Sequence, residues 1–195
     1  ISGYIGNQKI DDSILKKTLS LMKNRGPDSQ NTYKINFRKT NVYLLHSRLS
    51  VIDLTEYANQ PFSSFDKTLI FNGEIYNYLE LKKKLIKKGY IFKTKSDTEV
   101  LLTAFNEYGE KVFEYLNGMW AFAIWDDNKK LLYLSRDIFG EKPLYILKTT
   151  HGIYFASEVK FIRSLLNSSL QINENYINNF IIYGYRALNK TNDSF

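Results

Sequence analysis

The residues best placed to do chemistry lie in Phe71-Asn72-Gly73-Glu74, where the apolar run Leu69-Ile70-Phe71 stops at a polar triplet. Asn72 offers a side-chain amide donor. Gly73 offers a backbone N–H that no side chain shields, and Glu74 a carboxylate. An amide beside a bare N–H can stabilise an oxygen that gains negative charge during acyl transfer. Taken alone, Asn-Gly after an apolar run reads as a turn, because both residues tolerate positive φ. Other candidate groups have equally plain readings. Arg48 suits a surface ion pair, Asp97 a helix cap, and Glu74 a solvated turn. Arg136-Asp137 reads as a structural ion pair or a domain contact.

Composition narrows the chemistry further. The chain has no cysteine, which excludes disulfides and thiolate metal sites, and only His46 and His151 could act as imidazole ligands. No metal is therefore expected. The longest apolar runs are too short to span a bilayer, and residues 1–10 lack a basic start and an apolar core. No membrane association is expected, and the reading is cytoplasmic. Asn167-Ser-Ser and Asn189-Lys-Thr match the glycosylation acceptor pattern but are read as chance in an Asn-rich chain. The net charge is +7, yet Lys82, Lys83, Lys84, Lys87 and Lys88 interleave with Leu81, Leu85 and Ile86 as the solvated face of one helix. No nucleic-acid-binding motif accompanies them, so no nucleic-acid partner is expected.

These groups must be positioned by regular elements. A short strand is expected at residues 1–6 and a helix from Asp11 or Asp12 to about Lys23, with Ile14, Leu15, Thr18, Leu19 and Met22 at helical spacing. Arg25-Gly26-Pro27-Asp28 reads as a turn. Strands are expected at Asn41 to Leu49, Lys67 to Phe71, Ile91 to Thr94, Trp120 to Asp126, Leu131 to Ser135, Leu144 to Leu147 and Ile153 to Ala156. A helix from Tyr78 to Lys88 ends at Gly89. Ser96 and Glu99 have capping-box spacing ahead of Val100-Leu101-Leu102-Phe105, and Gly109 stops that helix before a short one reaching Leu116. After Leu166 the texture turns polar, with a further helix at Glu174 to Tyr183 and a polar end from Asn189. Hairpin-type connections dominate, so the class is α+β with mostly antiparallel sheets.

Eight blocks in order now resemble the class II glutamine amidotransferase domain, in its asparagine synthetase branch. They are Ser2-Gly-Tyr-Ile-Gly6, Arg25-Gly-Pro-Asp28, His46-Ser-Arg48 through Leu54, Phe71 to Asn77, Ser96-Asp-Thr-Glu99, Gly118 to Ala123, Arg136-Asp137 and Lys142-Pro-Leu-Tyr145. The resemblance covers residues 1–165. Residues 166–195 resemble a linker, or the start of that family's synthetase domain. It implies a four-layer αββα sandwich of two mostly antiparallel sheets, of the N-terminal nucleophile hydrolase type. It also implies L-glutamine as substrate. An N-terminal cysteine would attack the side-chain amide, its own amine serving as base, and ammonia would pass to an ATP-dependent synthetase domain, C-terminal or separate. By carry-over, Asn72 and Gly73 form the oxyanion hole and Arg48 holds the α-carboxylate. Asp97 holds the α-ammonium group, and Glu74 holds polar groups of the substrate. The strand running from Arg48 through Leu49, Ser50, Val51 and Ile52 lines the pocket. No cofactor is implied for this domain; ATP and Mg belong to the synthetase domain, and a homodimer is compatible with the family.

One departure stands out. The family nucleophile position holds Ser2, and Ile1 precedes it. A serine hydroxyl needs a positioned base, and the nitrogen that would serve is an amide here. The chain as written is therefore expected to be inactive toward glutamine. An engineered serine, a natural loss as in the β-lactam synthetase branch, and removal of Ile1 to free Ser2 all remain open. The other reading is an inactive glutamine-binding or structural domain that supports a synthetase partner. The acceptor of the amide nitrogen is not legible, since no Ser-Gly-Gly-x-Asp-Ser motif occurs in these residues.

Overall fold

Alternating apolar residues on nine strands build two antiparallel sheets in the computed structural model, which describes residues 1–184. The Asn189 acceptor match and the polar end fall outside the described residues. The strands are β1 (Ser2–Gly6), β2 (Ser29–Phe37), β3 (Thr40–Arg48), β4 (Phe62–Ser64), β5 (Lys67–Ile75), β6 (Gly118–Asp126), β7 (Leu131–Arg136), β8 (Tyr145–Thr149) and β9 (Gly152–Ala156). One sheet runs β2-β3-β1-β9-β8 and the other β4-β5-β6-β7. Five α-helices accompany them: α1 (Asp12–Met22), α2 (Tyr78–Lys87), α3 (Asp97–Tyr108), α4 (Val159–Leu166) and α5 (Glu174–Tyr183).

Three apolar layers show how these parts stack. Tyr4, Tyr43, Leu45 and Tyr154 on the first sheet pack with Leu15 and Met22 of α1 and Phe161 and Leu165 of α4. Leu69, Phe71, Phe122 and Ile124 on the second sheet pack with Leu81 and Leu85 of α2 and Leu101 and Phe105 of α3. Between the sheets lie Val42, Leu44, Ile70, Ala121, Ala123, Trp125 and Phe155. Helix, sheet, sheet and helix thus form the expected four-layer αββα sandwich, because each sheet buries both faces.

Several local expectations change for identifiable reasons. Asn72-Gly73 does not turn. β5 runs on to Ile75, pairing Asn72 with Ala121 and Gly73 with Trp120. A Cβ on Gly73 would lie 2.1 Å from the Met119 carbonyl oxygen, so the glycine serves close strand approach. Residues 91–94 are not a strand, because the Glu99 carboxylate takes the N–H groups of Lys93 and Thr94. The capping box is therefore half-formed: Ser96 Oγ accepts from Thr98 N–H, while Glu99 faces upstream. β3 stops at Arg48, so residues 49–52 belong to a loop rather than to a strand. The segment before Leu116 is a 3₁₀ helix, Gly109–Glu114. Two strands had no sequence signal, the half-exposed edge strand β2 and the three-residue β4.

Phe155 is fully buried between the sheets. Phe155→Ala is expected to cost about 3–5 kcal/mol. Urea denaturation reads this directly, and a loss under about 1 kcal/mol would contradict the two-sheet core.

Candidate functional site

A short strand creates the opening. β4 pairs with β5 only from Lys67 to Leu69, so beyond Leu69 the outer edge of β5 has no strand beside it. Backbone groups on that edge need other partners. Phe71 N–H donates to Gln60 Oε1 at 2.6 Å, and the Phe71 carbonyl accepts from His46 Nε2 at 3.1 Å. Ile75 N–H donates to Asp97 Oδ2 at 3.1 Å. Residues 71 and 75 therefore face outward, and the two-residue period of a strand puts Gly73 N–H on the same edge. Among the described residues, Gly73 N–H has no partner there.

That edge forms one wall of a cavity of about 360 Å³. Its lining brings together Arg48, Leu49, Val51, Ile52, Asn72, Gly73, Glu74 and Asp97 from the sequence-based set. Ser50 is not in the lining. Its N–H donates to Asp28 Oδ2 at 2.7 Å, which ties the loop after β3 to the Arg25–Asp28 turn. Ser2 is absent from it too. Gly3 faces the inter-sheet layer, where an added Cβ would meet the Phe155 ring, and Tyr4 packs against α1 and α4. Strand alternation puts Ser2 on the face of Tyr4, and its hydroxyl, fully buried, donates to the Phe155 carbonyl at 3.3 Å. Ile1 prolongs the pairing: its carbonyl accepts from Ser157 N–H, and its amine donates to Ser157 Oγ at 3.2 Å.

The charges of the cavity sit on two walls. Arg48 is buried, its Nη1 donating to the Thr55 carbonyl and to Asn59 Oδ1, and its Nη2 to the Asp53 carbonyl. Those bonds shape the loop from Leu49 to Asn59. Nε and one Nη2 hydrogen have no partner among the described residues. Asp97 begins α3, where burial, aided by the charge of nearby Glu74, pushes its carboxyl above the usual range. Among the described residues its ionised form has no salt-bridge partner, which a bound cation would supply.

Sequence reasoning overlooked several lining residues, namely Arg25, His46, Asp53, Gln60, Thr98, Met119 and Lys142. Gln60 and His46 look like ordinary buried polar residues in sequence. Only the missing strand beside β5 reveals what they hold. Because a carbonyl only accepts, His46 carries its proton on Nε2 and leaves Nδ1 bare. Nδ1 is a buried atom without a hydrogen-bond partner among the described residues. Burial first, and then the charge of the Ile1 amine, pull the imidazole down to about 3, so it is neutral near pH 7. Asp53 had a weak signal in Asp53-Leu-Thr55, an Asx-turn pattern. Its Oδ1 accepts from Thr55 N–H and hydroxyl, and its Oδ2 from Lys95 N–H. Arg136 and Asp137 do not pair with each other. Arg136 donates to the Lys142 and Gly140 carbonyls. Asp137 accepts from Trp120, Glu141 and Lys142 N–H, which directs the Lys142 turn toward the cavity. Among the described residues no cluster of His, Cys, Asp and Glu could hold a metal ion, and no helix is long and apolar enough to cross a membrane.

Asp53 gives this site a pH signature. The Thr55 hydroxyl and then Lys95 N–H hold its carboxyl down to about 2. A depressed folded pKa contributes stability above the unfolded value near ~3.9, and that contribution disappears as pH falls through the folded pKa. Asp53→Asn is expected to lower stability by about 1–3 kcal/mol at pH 6, with the difference from the parent shrinking between pH 4 and 2. Urea titrations across that window check it. A gap that persists at pH 2 would contradict the assignment.

With this geometry in place, comparison with known proteins is informative. The model of the glutamine amidotransferase domain family matches residues 1–193. Asparagine synthetase [glutamine-hydrolyzing] 1 of Bacillus subtilis is 46% identical over 151 residues, covering 76% of this chain and 23% of that protein. A putative asparagine synthetase [glutamine-hydrolyzing] 2 of Methanocaldococcus jannaschii is 34% identical over 205 residues, covering 95% of this chain and 39% of that protein. The chain therefore spans well under half of these relatives. Among solved structures, glutamine phosphoribosylpyrophosphate amidotransferase of B. subtilis, complexed with ADP and GMP, superposes with a TM-score of 0.66 at 21% identity. It covers 86% of this chain and 44% of that one, a likeness of fold.

Proposed function

The chain belongs to the glutamine amidotransferase domain family, of asparagine synthetase type, and we propose that its cavity is an L-glutamine site built for hydrolysis to glutamate and ammonia. The observation that carries this reading is the arrangement around β5. A Gly73 N–H without a partner among the described residues shares the lining of one cavity with a buried cation, Arg48, and a buried carboxylate, Asp97. An α-amino acid needs both charges, and a side-chain carbonyl needs a donor. In this reading the free Nε and Nη2 hydrogens of Arg48 take the α-carboxylate. Asp97, with Glu74 beside it, takes the α-ammonium group, which restores the charge balance that burial denies Asp97. The side-chain carbonyl lies against Gly73 N–H and the Asn72 amide, the donors that would stabilise a tetrahedral oxyanion. Leu49, Val51 and Ile52 cover the aliphatic part, with Ser50 holding the loop from outside.

The nucleophile is the weak link. Ser2 replaces the family cysteine, its nitrogen lies in the peptide bond to Ile1, and its hydroxyl is bonded on the helix face. That burial favours the second reading for the chain as it stands, a domain that binds glutamine without turning it over. In either reading the ammonia-consuming amidation belongs to an ATP-dependent synthetase partner, with its Mg, and the domain itself uses no cofactor. A homodimer and a cytoplasmic setting fit this role.

Two outcomes follow. By calorimetry, Arg48→Ala and Asp97→Asn are each expected to weaken L-glutamine binding by about 1.5–3 kcal/mol, as for a lost charged hydrogen bond. Asp97→Asn should also raise stability at neutral pH. A raised folded pKa makes the ionised group destabilising, an effect that grows as pH rises through that pKa and that asparagine removes. Full glutamine affinity in both variants would overturn the pocket assignment. For activity, the chain is expected to release no ammonia from glutamine, whereas Ser2→Cys with Ile1 removed should do so. A dead variant whose free N-terminal cysteine is verified by intact mass would sink the glutaminase reading and leave the binding domain.

A further inference from the structure

The structure assigns to Gln60, a residue outside the binding groups named above, the role of positioning Gly73 N–H for the side-chain amide of the ligand. The inference rests on the glutamine reading of the cavity.

Beyond Leu69, β5 lacks the neighbour that would normally fix its outer edge. Gly73 N–H can meet a ligand only because no strand covers it, and the same absence leaves its position underdetermined. Gln60 supplies what β4 does not. It is 7% exposed, and its Oε1 accepts from Phe71 N–H, the nearest upstream N–H on the same edge. Its Nε2 donates to Thr98 Oγ1 at 3.2 Å, which fixes which end of the amide faces the strand. Thr98 itself is locked, because its N–H donates to Ser96 Oγ in the first turn of α3. The Gln60 carbonyl accepts from Asn31 Nδ2 on β2, so its main chain is tied to the other sheet. The preceding residue, Asn59, accepts from Arg48 Nη1.

Asn59-Gln60 is thus the point where Arg48, the edge of β5 and the start of α3 meet. The Phe71 carbonyl, in the next peptide group, is held by His46 Nε2. With Gln60 present, Phe71 is pinned through both its donor and its acceptor, and Gly73, two residues on, inherits that register. Without Gln60, Phe71 N–H is buried and unsatisfied, and the edge must shift or admit water. The groups that hold the α-carboxylate and α-ammonium lie on Arg48 and Asp97, so the consequence falls on side-chain amide recognition.

The test compares L-glutamine with L-norvaline, which has the same α-groups and no side-chain amide. Dissociation constants are measured by calorimetry for the chain, for Gln60→Met and for Gln60→Glu, with thermal melts alongside. Methionine keeps the length and removes both hydrogen bonds. Glutamate keeps them, because its carboxyl accepts from Phe71 N–H in either protonation state and the Thr98 hydroxyl can donate to the ionised form or accept from the protonated one. The preference for glutamine over norvaline is expected to fall at least about tenfold in Gln60→Met, one hydrogen bond's worth. It should survive in Gln60→Glu. Equal weakening of both ligands, or none, would overturn the assignment. Should the unaltered chain bind neither ligand, the glutamine reading fails on its own. Amide exchange then decides the positioning role: Phe71 N–H should exchange at least about tenfold faster in Gln60→Met and not in Gln60→Glu, and unchanged exchange would overturn it.

Discussion

One missing neighbour governs this molecule. β4 ends after three residues, and β5 continues past it to Ile75 with an uncovered edge. An unpaired strand edge inside a folded domain leaves buried donors and acceptors without partners. Here side chains replace the absent strand: Gln60 and His46 on Phe71, and Asp97 on Ile75. Each comes from a different element, so satisfying the edge also draws together the loop before β4, strand β3 and helix α3. The one position skipped is Gly73. A gap in hydrogen bonding and a cavity are here the same feature.

Charge of both signs is arranged around that gap. Arg48 lines the cavity and holds its loop with three bonds, and its remaining donors have no partner among the described residues. Asp97 is buried beside Glu74, with no salt-bridge partner among the described residues. Such an arrangement costs stability, a cost that the zwitterion of the proposed reading would offset. Asp53 works the other way. Its carboxylate is well satisfied by Thr55 and Lys95, so it braces the loop and offers nothing to a ligand.

The elements of the fold were legible because their signals are periodic, while the four-layer stacking came from the family resemblance. Trp120 to Asp126 and the α1 and α3 helices read correctly from apolar spacing. What misled was local chemistry overridden by tertiary contact. Asn72-Gly73 has the composition of a turn, yet pairing with Ala121 and Trp120 keeps it extended. Residues 91–94 look like a strand, but Glu99 captures their donors. Of the cavity lining, Arg48, Asn72, Gly73, Glu74 and Asp97 were named by the family resemblance. Gln60 and His46 were not, since their value depends on where β4 stops. Ser2 shows the limit from the other side: its block resembles the family's nucleophile segment, while strand alternation turns its hydroxyl to the helix layer.

In the proposed glutamine site, Gly73 N–H is the donor that meets the ligand carbonyl. The most direct measurement is a ¹⁵N-resolved titration of the chain with L-glutamine. A saturable shift centred on the Gly73 amide, accompanied by the Arg48 Nε resonance, is the predicted result. Saturation with those two signals unmoved, or with shifts confined to the separate hollow lined by Ile10, Tyr154 and Leu166, would contradict it.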